Sequence, residues 1–418
     1  MKTACYFCSQ DLKNPSWEKA MKNLLMATSA VAIMASSAFA AGHTEEVKIG
    51  VILGFTGPLE SITPAMGAGA ELAMAEVTES GLLLGGAKVT SVRGDSTCID
   101  AGAATAAAER LVTSDGVNAI MGADCSGVTG AILQNVARAN GVVMISPSAT
   151  SPGLSDAEDD GLFFRTAPSD ARQGVIITNI LQDRGVTEVA LTYTNNDYGK
   201  GLADAFQAAF EAAGGTVTIT AAHEDGKADY SAEVGALASG GGEVLVVAGY
   251  VDQGGSGIIR SALDTGAFDT FYLPDGMVGS VLNDNFGAEL NGSYGAYPGT
   301  DNAGAGKFVE LAAAAGFDGT GAFAPESYDA AALIMLAMQA ANSASSADFK
   351  DHVFDVANAP GVEILPGELA KGLELLAAGT DIDYVGASAV ELIGPGESAG
   401  NYQEIEFADG VYSTIGYR

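Results

Sequence analysis

Serine and threonine side chains stand at the ends of two apolar runs, where they could bind an anion. The segments GADCSG (122–127) and SPSATSP (146–152) carry Ser126, Ser148 and Thr150. Hydroxyl groups and backbone N–H groups at the start of a helix donate hydrogen bonds to carboxylates and phosphates. Each of these residues could instead cap a helix. Two such segments after neighbouring strands favour an anion site.

An acidic residue and two tyrosines occupy equivalent positions later in the chain. Tyr198, Tyr250 and Asp275 each follow a run rich in β-branched or aromatic residues. An aspartate there could pair with a cationic group, and the tyrosines could form the walls of a pocket. Ordinary packing of the tyrosines and a simple turn at Asp275 are the alternatives, which the residues alone leave open.

Neither a nucleotide-binding motif nor the spacing of the histidines indicates catalysis. The sequence contains neither a G-x-x-x-x-G-K-[ST] loop nor a strand-linked G-x-G-x-x-G. His43, His223 and His352 lack the spacing of metal ligands, and the Cys5-x-x-Cys8 pair has no second pair to complete a zinc site. We therefore expect a binding protein with no catalytic residue, no metal and no cofactor.

Charge and length restrict the class of protein further. The chain has 418 residues, with 19 Lys and Arg against 52 Asp and Glu, and a formal net charge of −33. Such a charge repels a phosphate backbone, so we expect no nucleic-acid partner. At about 150 residues per domain the length allows two or three domains. The apolar share of 48% is enough for packed cores.

The first 40 residues have the pattern of a secretory signal peptide. Lys19 and Lys22 precede an apolar run at 24–35, and Ala38-Phe39-Ala40 fits the small-residue cleavage pattern. Met21 could be the true start of this signal. A membrane anchor is the alternative, although the run is shorter than the roughly 20 residues that a spanning helix needs. We expect cleavage after residue 40 and a periplasmic protein that is not embedded in a membrane.

Two cysteines, Cys98 and Cys125, lie beyond the signal. In an oxidising compartment two cysteines are the number that forms one bridge, so a disulfide is expected. Two buried free thiols are the alternative.

Strand patterns alternate with helix patterns along the rest of the chain. A first series predicts strands at 47–53, 88–95, 117–122 and 142–146, separated by helices at 64–80, 101–113 and 128–140. A second series predicts helices at 171–184, 201–213, 231–239 and 257–265, and strands at 188–193, 216–221, 244–247 and 270–273. Later segments predict helices at 304–315, 328–342 and 368–378, and strands near 384–392 and 402–407. The repeated β-α-β units predict two doubly wound parallel sheets in tandem.

Several motifs in one order resemble periplasmic substrate-binding proteins of the type I fold, in the branch that serves branched-chain amino-acid and amide ABC importers. The resemblance runs from about 47 to 418. It rests on KIGVILGFTGP (48–58), GDSTCID (94–100), GADCSG (122–127), SPSATSP (146–152), NDYGKGLADAF (196–206) and AGYVDQGG (248–255).

The resemblance implies two α/β lobes with parallel central sheets, joined by a three-strand hinge. It puts the crossings near 166–170, 297–301 and 395–402. The first lobe then comprises 41–168 and 299–398, and the second lobe comprises 169–298 and 399–418. The stretch 361–378 looks inserted relative to the leucine/isoleucine/valine binder of this family, and its role is unknown.

The family's ligand site is implied residue by residue. The clamp for an α-carboxylate falls on Ser126, Ser148 and Thr150, and the acidic partner of an α-ammonium falls on Asp275. The side-chain walls fall on Tyr198, Tyr250 and Phe323. Cys98 and Cys125 match the family's disulfide. Two positions depart from the branched-chain binder: Ile62 replaces a tyrosine and Asp275 replaces a glutamate, so the size of the pocket and the ligand are open.

The expected function is capture of a small amino acid, branched-chain or otherwise apolar, by a monomer that delivers it to an ABC permease in the inner membrane. An amide, urea or carboxylate cargo is the first alternative. A periplasmic ligand sensor of the same fold is the second.

Overall fold

A computed structural model describes residues 44–418 of the protein. The predicted signal peptide lies outside the described residues. The strands are β1 (Glu46–Leu53), β2 (Lys88–Asp95), β3 (Ala119–Gly122), β4 (Met144–Ser146), β5 (Phe163–Pro168), β6 (Glu188–Thr194), β7 (Thr216–His223), β8 (Val244–Ala248), β9 (Phe271–Leu273), β10 (Tyr294–Pro298), β11 (Val362–Ile364), β12 (Ile382–Tyr384), β13 (Leu392–Ile393), β14 (Glu397–Ser398), β15 (Tyr402–Ala408) and β16 (Val411–Tyr417).

Helices connect most of these strands. They are α1 (Thr63–Ser80), α2 (Ala101–Arg110), α3 (Ser126–Ile132), α4 (Arg138–Asn140), α5 (Asp170–Asp183), α6 (Asp197–Ala212), α7 (Ser231–Gly240), α8 (Gly254–Thr265), α9 (Val281–Phe286), α10 (Ala303–Ala315), α11 (Ala324–Ala341), α12 (Ser346–Phe349), α13 (Val353–Ala357) and α14 (Leu369–Ala377). None of the helices at 44–418 is both long enough and apolar enough to cross a bilayer.

The strands form two seven-stranded sheets, which define two lobes. The first sheet has the order β13-β14-β5-β4-β3-β1-β2, and the second has the order β16-β15-β10-β9-β8-β6-β7. Strands β1 to β5 are paired in parallel, as are β6 to β10. Long apolar runs such as β1, whose side chains are buried on both faces, suit this arrangement because helices cover both sides of the sheet. The predicted fold class of two α/β lobes is confirmed.

The chain passes between the two sheets three times, after β5, β10 and β14. These passages form the hinge. The exact lobe bounds, 41–168 with 299–398 and 169–298 with 399–418, stay a prediction.

Each sheet carries antiparallel strands at one edge: β15 was predicted as a strand at 402–407, whereas β16 and the antiparallel pairing were not predicted. Strand β15 runs antiparallel to β10 and β16, and β13 runs antiparallel to β14. The β15–β16 hairpin turns at Asp409-Gly410, where both residues have positive φ. An Asp-Gly pair between two apolar runs is a hairpin signal, and its use would have found β16.

The predicted strand at 384–392 is wrong, because most of this segment loops around a buried carboxylate. Asp329 Oδ1 accepts hydrogen bonds from the Tyr384 hydroxyl and the Ala387 N–H, each at 2.8 Å. Asp329 Oδ2 accepts from the N–H and the hydroxyl of Ser388. Gly386 adopts a left-handed φ of 61° at the bend. These bonds hold 385–391 out of the ladder, so only the ends of the predicted strand pair, in β12 and β13.

The stretch 361–378 belongs to a small β-α-β unit on the first lobe. Strands β11 and β12 pair in parallel, and α14 connects them. Leu369 and Leu373 of this helix are fully buried. Glu76 of α1 accepts hydrogen bonds from the N–H groups of Leu369 (2.7 Å) and Gly367 (3.2 Å), which anchors the start of the helix. The unit therefore extends the core of the first lobe.

Candidate functional site

The carboxyl ends of β3 and β4 carry the hydroxyl groups of the first lobe. Ser126 is the first residue of α3, is 2% exposed, and its Oγ accepts a hydrogen bond from the Ser151 N–H at 3.1 Å. The predicted disulfide between Cys98 and Cys125 is confirmed, with the Cα atoms 5.1 Å apart. It ties the loop after β2 to the residue that precedes Ser126, so this end of α3 is held by a covalent cross-link.

Ser148 and Thr150 differ in their surroundings. The Ser148 hydroxyl donates to the carbonyl oxygen of Asp124 at 3.0 Å. The Thr150 hydroxyl is buried and has no hydrogen-bond partner among the described residues. It lies beside the carboxyl of Asp170 and lowers the pKa of that group. Thr150 therefore differs from Ser148 in that its hydroxyl group lies next to a buried carboxyl group.

The acidic half of the site comes from the second lobe. Asp275 follows β9 and is 1% exposed, and its Oδ1 accepts hydrogen bonds from the Tyr198 hydroxyl (2.6 Å) and the Gly276 N–H (2.8 Å). The Tyr198 ring stacks on the Tyr250 ring, with centroids 5.2 Å apart. Burial raises the pKa of Asp275 above its ordinary value of 3.8.

Helix α6, which carries Tyr198 in its first turn, begins earlier than predicted. The helix starts at Asp197 rather than at Gly201, since the Asn196 side chain caps it by accepting from the Gly199 N–H at 3.0 Å. Likewise α3 begins at Ser126 instead of Val128. Both shifts move a predicted site residue from a loop into the first turn of a helix.

A second buried carboxylate, Asp170, was not predicted. It is fully buried as the first residue of α5, and neither of its carboxylate oxygens has a hydrogen-bond partner among residues 44–418. Burial raises the pKa of Asp170 well above its usual value, and the charge of Asp275 raises it further, whereas Thr150 and Arg165 lower it. The guanidinium of Arg165 instead donates to Ala149, Ser151, Ser155 and Glu397.

A small cavity between the lobes collects most of the predicted residues. Its lining comprises Leu59, Asp124, Cys125, Ser126, Ser148, Tyr198, Tyr250, Asp275, Gly276 and Phe323. Of the seven predicted ligand residues, only Thr150 is outside this lining. Leu59, Asp124 and Gly276 also line the cavity and were not predicted from the sequence. The segment after β9 pointed to Gly276, but nothing in the sequence distinguished Leu59 from its neighbours.

Ile62, the predicted departure from the branched-chain binder, does not line the cavity. It packs at the contact between the lobes, where its Cγ2 lies 3.3 Å from the position that a Cβ would have on Gly279. The cavity wall on this side is Leu59, from the same loop.

The lobes touch on both sides of this cavity. On one side the Ser61 N–H donates to Asp252 Oδ2 at 2.8 Å, and the Asp252 N–H donates to the Pro58 carbonyl oxygen at 3.1 Å. On the other side, Gly201 lies so close to Ser151 and Pro152 that an added Cβ would be 2.9 Å from each. The structure therefore describes a closed arrangement of the two lobes.

Asp124 is a structural residue of the cavity floor. Its Oδ2 accepts from the Gly54 N–H and its Oδ1 from the Ser96 hydroxyl, both at 2.9 Å, so it holds the loops after β1 and β2 together. Asp124, Cys98 and Cys125 form the one cluster with metal-ligand distances in the described part of the chain. The two sulfur atoms are already joined to each other, so the cluster is not a metal site.

One catalytic spacing does occur in the chain, G-x-S-x-G at 396–400. Ser398 belongs to β14, which pairs with β5 in the first sheet. A nucleophile of this motif needs a strand-to-helix turn, and Ser398 does not have that context.

Comparison with known proteins identifies the fold and its relatives. A family model described as periplasmic binding protein matches residues 46–364. Leu/Ile/Val-binding protein homolog 3 of Brucella melitensis is 33% identical over 232 residues, which are 54% of this chain and 61% of that protein. Leu/Ile/Val-binding protein homolog 1 of the same organism is 30% identical over 330 residues, covering 77% of this chain and 84% of that protein.

Solved structures agree in fold. The leucine binding protein LivK of Thermotoga maritima superposes with a TM-score of 0.73 at 22% identity, covering 89% of this chain and 98% of that chain. A solute-binding protein of Rhodopseudomonas palustris in complex with p-hydroxybenzoic acid superposes with a TM-score of 0.70 at 18% identity, covering 89% of this chain and 97% of that chain.

Proposed function

The chain belongs to the periplasmic binding protein family, and we propose that it captures a small amino acid between its lobes and delivers it to an ABC permease in the inner membrane. The ligand in this proposal is a branched-chain or other apolar amino acid. The protein acts as an exported periplasmic monomer without catalytic activity.

The pair of buried carboxylates is the observation that carries this proposal. Asp170 and Asp275 are both within 1% of complete burial, and each lacks a cationic side chain bonded to it among the described residues. Buried carboxylates are costly unless a cation or several donors compensate them. A ligand with an ammonium group would supply the missing positive charge.

The hydroxyl groups of Ser126 and Ser148 suit the other half of a zwitterionic ligand, its carboxylate. Ser126 and Ser148 line the same cavity as Asp275, and the start of α3 adds backbone N–H groups. A carboxylate bound there accepts charge-assisted hydrogen bonds in a site from which closure removes water. The two ends of an α-amino acid thus have partners of opposite charge on the two lobes.

The walls favour an apolar side chain. Leu59, Tyr198, Tyr250 and Phe323 surround the cavity. The names of the relatives, which refer to leucine, isoleucine and valine, also favour an apolar side chain. A plain aromatic acid, the ligand of the Rhodopseudomonas palustris protein, would leave Asp170 and Asp275 without a counter-charge.

The proposal is tested by thermal denaturation of the purified chain, unfolded and refolded to remove bound ligand. Leucine, isoleucine and valine are compared with their desamino acids, with small amides and with urea. A ligand at about 100 times its Kd adds roughly 2.7 kcal/mol to the free energy of unfolding, which raises the Tm. Amino acids should raise the Tm, and their desamino acids at the same concentration should raise it much less. A rise with desamino acids or amides alone would refute the amino-acid assignment.

A sensor and a transporter would give the same result in that assay. They differ in the partner, so vesicles that contain the cognate permease are the second test. Ligand uptake that depends on the binding protein would support delivery. Saturable ligand binding without uptake would favour the sensor.

A further inference from the structure

A second cavity lies at the hinge, next to the ligand cavity. Its volume is about 700 Å³, within the range of sites for small molecules. Both lobes contribute to it: Tyr297 comes from β10, Glu326 from the first turn of α11, and Tyr412 and Tyr417 from β16. Phe323 lines this cavity and the ligand cavity, so it forms the wall between them.

The carboxylate of Glu326, which lines this cavity, is buried and only partly hydrogen-bonded. The side chain is 1% exposed, and its Oε2 has no hydrogen-bond partner among the described residues. Burial raises the pKa of Glu326 to about 8, and the charge of Asp329 on the same helix contributes in the same direction. Buried carboxylates normally have a hydrogen-bond or ionic partner, so a ligand that supplies a donor or a cation would stabilise Glu326.

The charges of the other lining residues also favour a positively charged ligand. Asp301 and Glu310 also line the cavity, and the described residues that line it include no lysine, arginine or histidine. The buried Nδ2 of Asn302 also has no partner among residues 44–418, and as a donor it suits an acceptor oxygen of the ligand. Aromatic residues line the same space, and the faces of aromatic rings attract cations.

We propose that the hinge cavity binds a small organic cation, with the charged group at Glu326 and the apolar body among Tyr297, Tyr412 and Tyr417. The ligand class is a protonated or quaternary amine. This site shares none of the carboxylates assigned to the amino acid, so the inference does not rest on the proposed function.

The location gives binding a consequence for the amino-acid site. Because both lobes line the hinge cavity, a bound cation contacts both and changes the relative stability of the open and closed arrangements. Coupling of two binding equilibria is reciprocal, so an amino acid in the cleft changes the affinity for the cation by the same factor.

Calorimetric titration with choline tests the proposal, with 3,3-dimethyl-1-butanol as its neutral isostere. The full chain is used at about 0.15 M salt, which screens the acidic surface. We expect choline to bind and the alcohol to bind at least tenfold more weakly. Glu326→Gln should weaken choline binding at least tenfold. Glu374→Gln, which removes the same charge from an exposed position of α14, should leave it unchanged.

Two further variants locate the bound cation. Gly306 of α10 lines the cavity, and an added Cβ there meets no atom within 4 Å, so Gly306→Leu should block the cavity and keep the fold. Asp275→Asn should not affect choline. Loss of choline binding in Asp275→Asn with retention in Glu326→Gln or Gly306→Leu would place the cation in the cleft and overturn the proposal. Absence of choline binding to the unmodified chain, or equal binding of the alcohol, would overturn it as well.

Discussion

Replacement of Asp275 by asparagine is the most direct test of how the cleft recognises its ligand. Asparagine keeps the size of the side chain and retains an oxygen that can accept from Tyr198 or Gly276. The change therefore removes the negative charge and leaves the packing of the two tyrosines intact. Only a ligand that brings a positive charge should respond.

The size of the effect follows from the two carboxylates. A hydrogen bond to a charged group contributes about 1.5–3 kcal/mol, so removing one charged acceptor should cost about 2 kcal/mol of binding free energy. The charge of Asp170, which acts on Asp275 without lining the cavity, still attracts the ammonium and keeps the loss below that of an unpaired buried ion. At 1.4 kcal/mol per factor of ten, about 2 kcal/mol corresponds to roughly 30-fold weaker binding. Asp275→Ala also leaves the Tyr198 hydroxyl without its acceptor, so its loss should be at least as large.

Calorimetry with two ligands separates this effect from general damage. Leucine should lose about 30-fold in affinity, whereas its desamino acid, which has no ammonium, should lose nothing. The free energy of unfolding of the ligand-free variant serves as a check on the fold. Equal losses for both ligands would show that Asp275 acts through the shape of the site. Unchanged binding of leucine would refute the charge-pairing argument altogether.

Three other predictions concern residues around the cleft. Asp170 has a raised pKa, so its contribution to stability is present below its ordinary value of 3.8 and is lost as the pH rises through the raised value. Since each pKa unit corresponds to about 1.4 kcal/mol, Asp170→Asn should flatten the decline in the free energy of unfolding of the ligand-free protein above pH 4, and an unchanged pH profile would contradict this. Asp252 holds the lobes together through Ser61 without lining the ligand cavity, so Asp252→Ala should weaken ligand binding by about fivefold and open the lobes in small-angle scattering, whereas Asp252→Asn, which can still accept the bond, should bind within about twofold of the original. The Cys98–Cys125 bridge closes a loop with a sequence separation of 27 residues, so replacing both cysteines with serine should lower the free energy of unfolding in urea by about 3–4 kcal/mol, and a change below about 1 kcal/mol would exclude a structural role.

The sequence allowed good predictions wherever a local pattern determines the structure. Strand β2 has the predicted bounds, and β1, α1 and α10 are within one residue of them, because long apolar or periodic runs determine them. The segment 384–392 failed because its course depends on Asp329, which is more than 50 residues away along the chain. No local pattern contains that information.

Asp170 was missed for a related reason. In the sequence it follows Ser169 at the start of a predicted helix, where an acidic residue is ordinary. Its importance comes from the lack of a partner and from its proximity to Asp275, which is 105 residues away. By contrast, five of the six predicted residues that line the cavity follow strands of the two parallel sheets, and ligands of such sheets lie at the carboxyl ends of the strands.

The two carboxylates also explain how ligand and closure depend on each other. Contacts such as Asp252–Ser61 stabilise the closed arrangement and need no ligand. Closure also removes water from Asp170 and Asp275, which opposes the closed arrangement because their charges then repel without screening. An ammonium group makes the removal of water favour closure instead, since both carboxylates attract it strongly only when the lobes exclude water.

The ligand-free protein should therefore close more readily as the pH falls and the carboxylates become protonated. At neutral pH, closure should require a ligand that carries an ammonium group. Scattering measured on the ligand-free chain between about pH 4 and pH 8 would test this, and the dependence should vanish in a variant that carries asparagine at both positions.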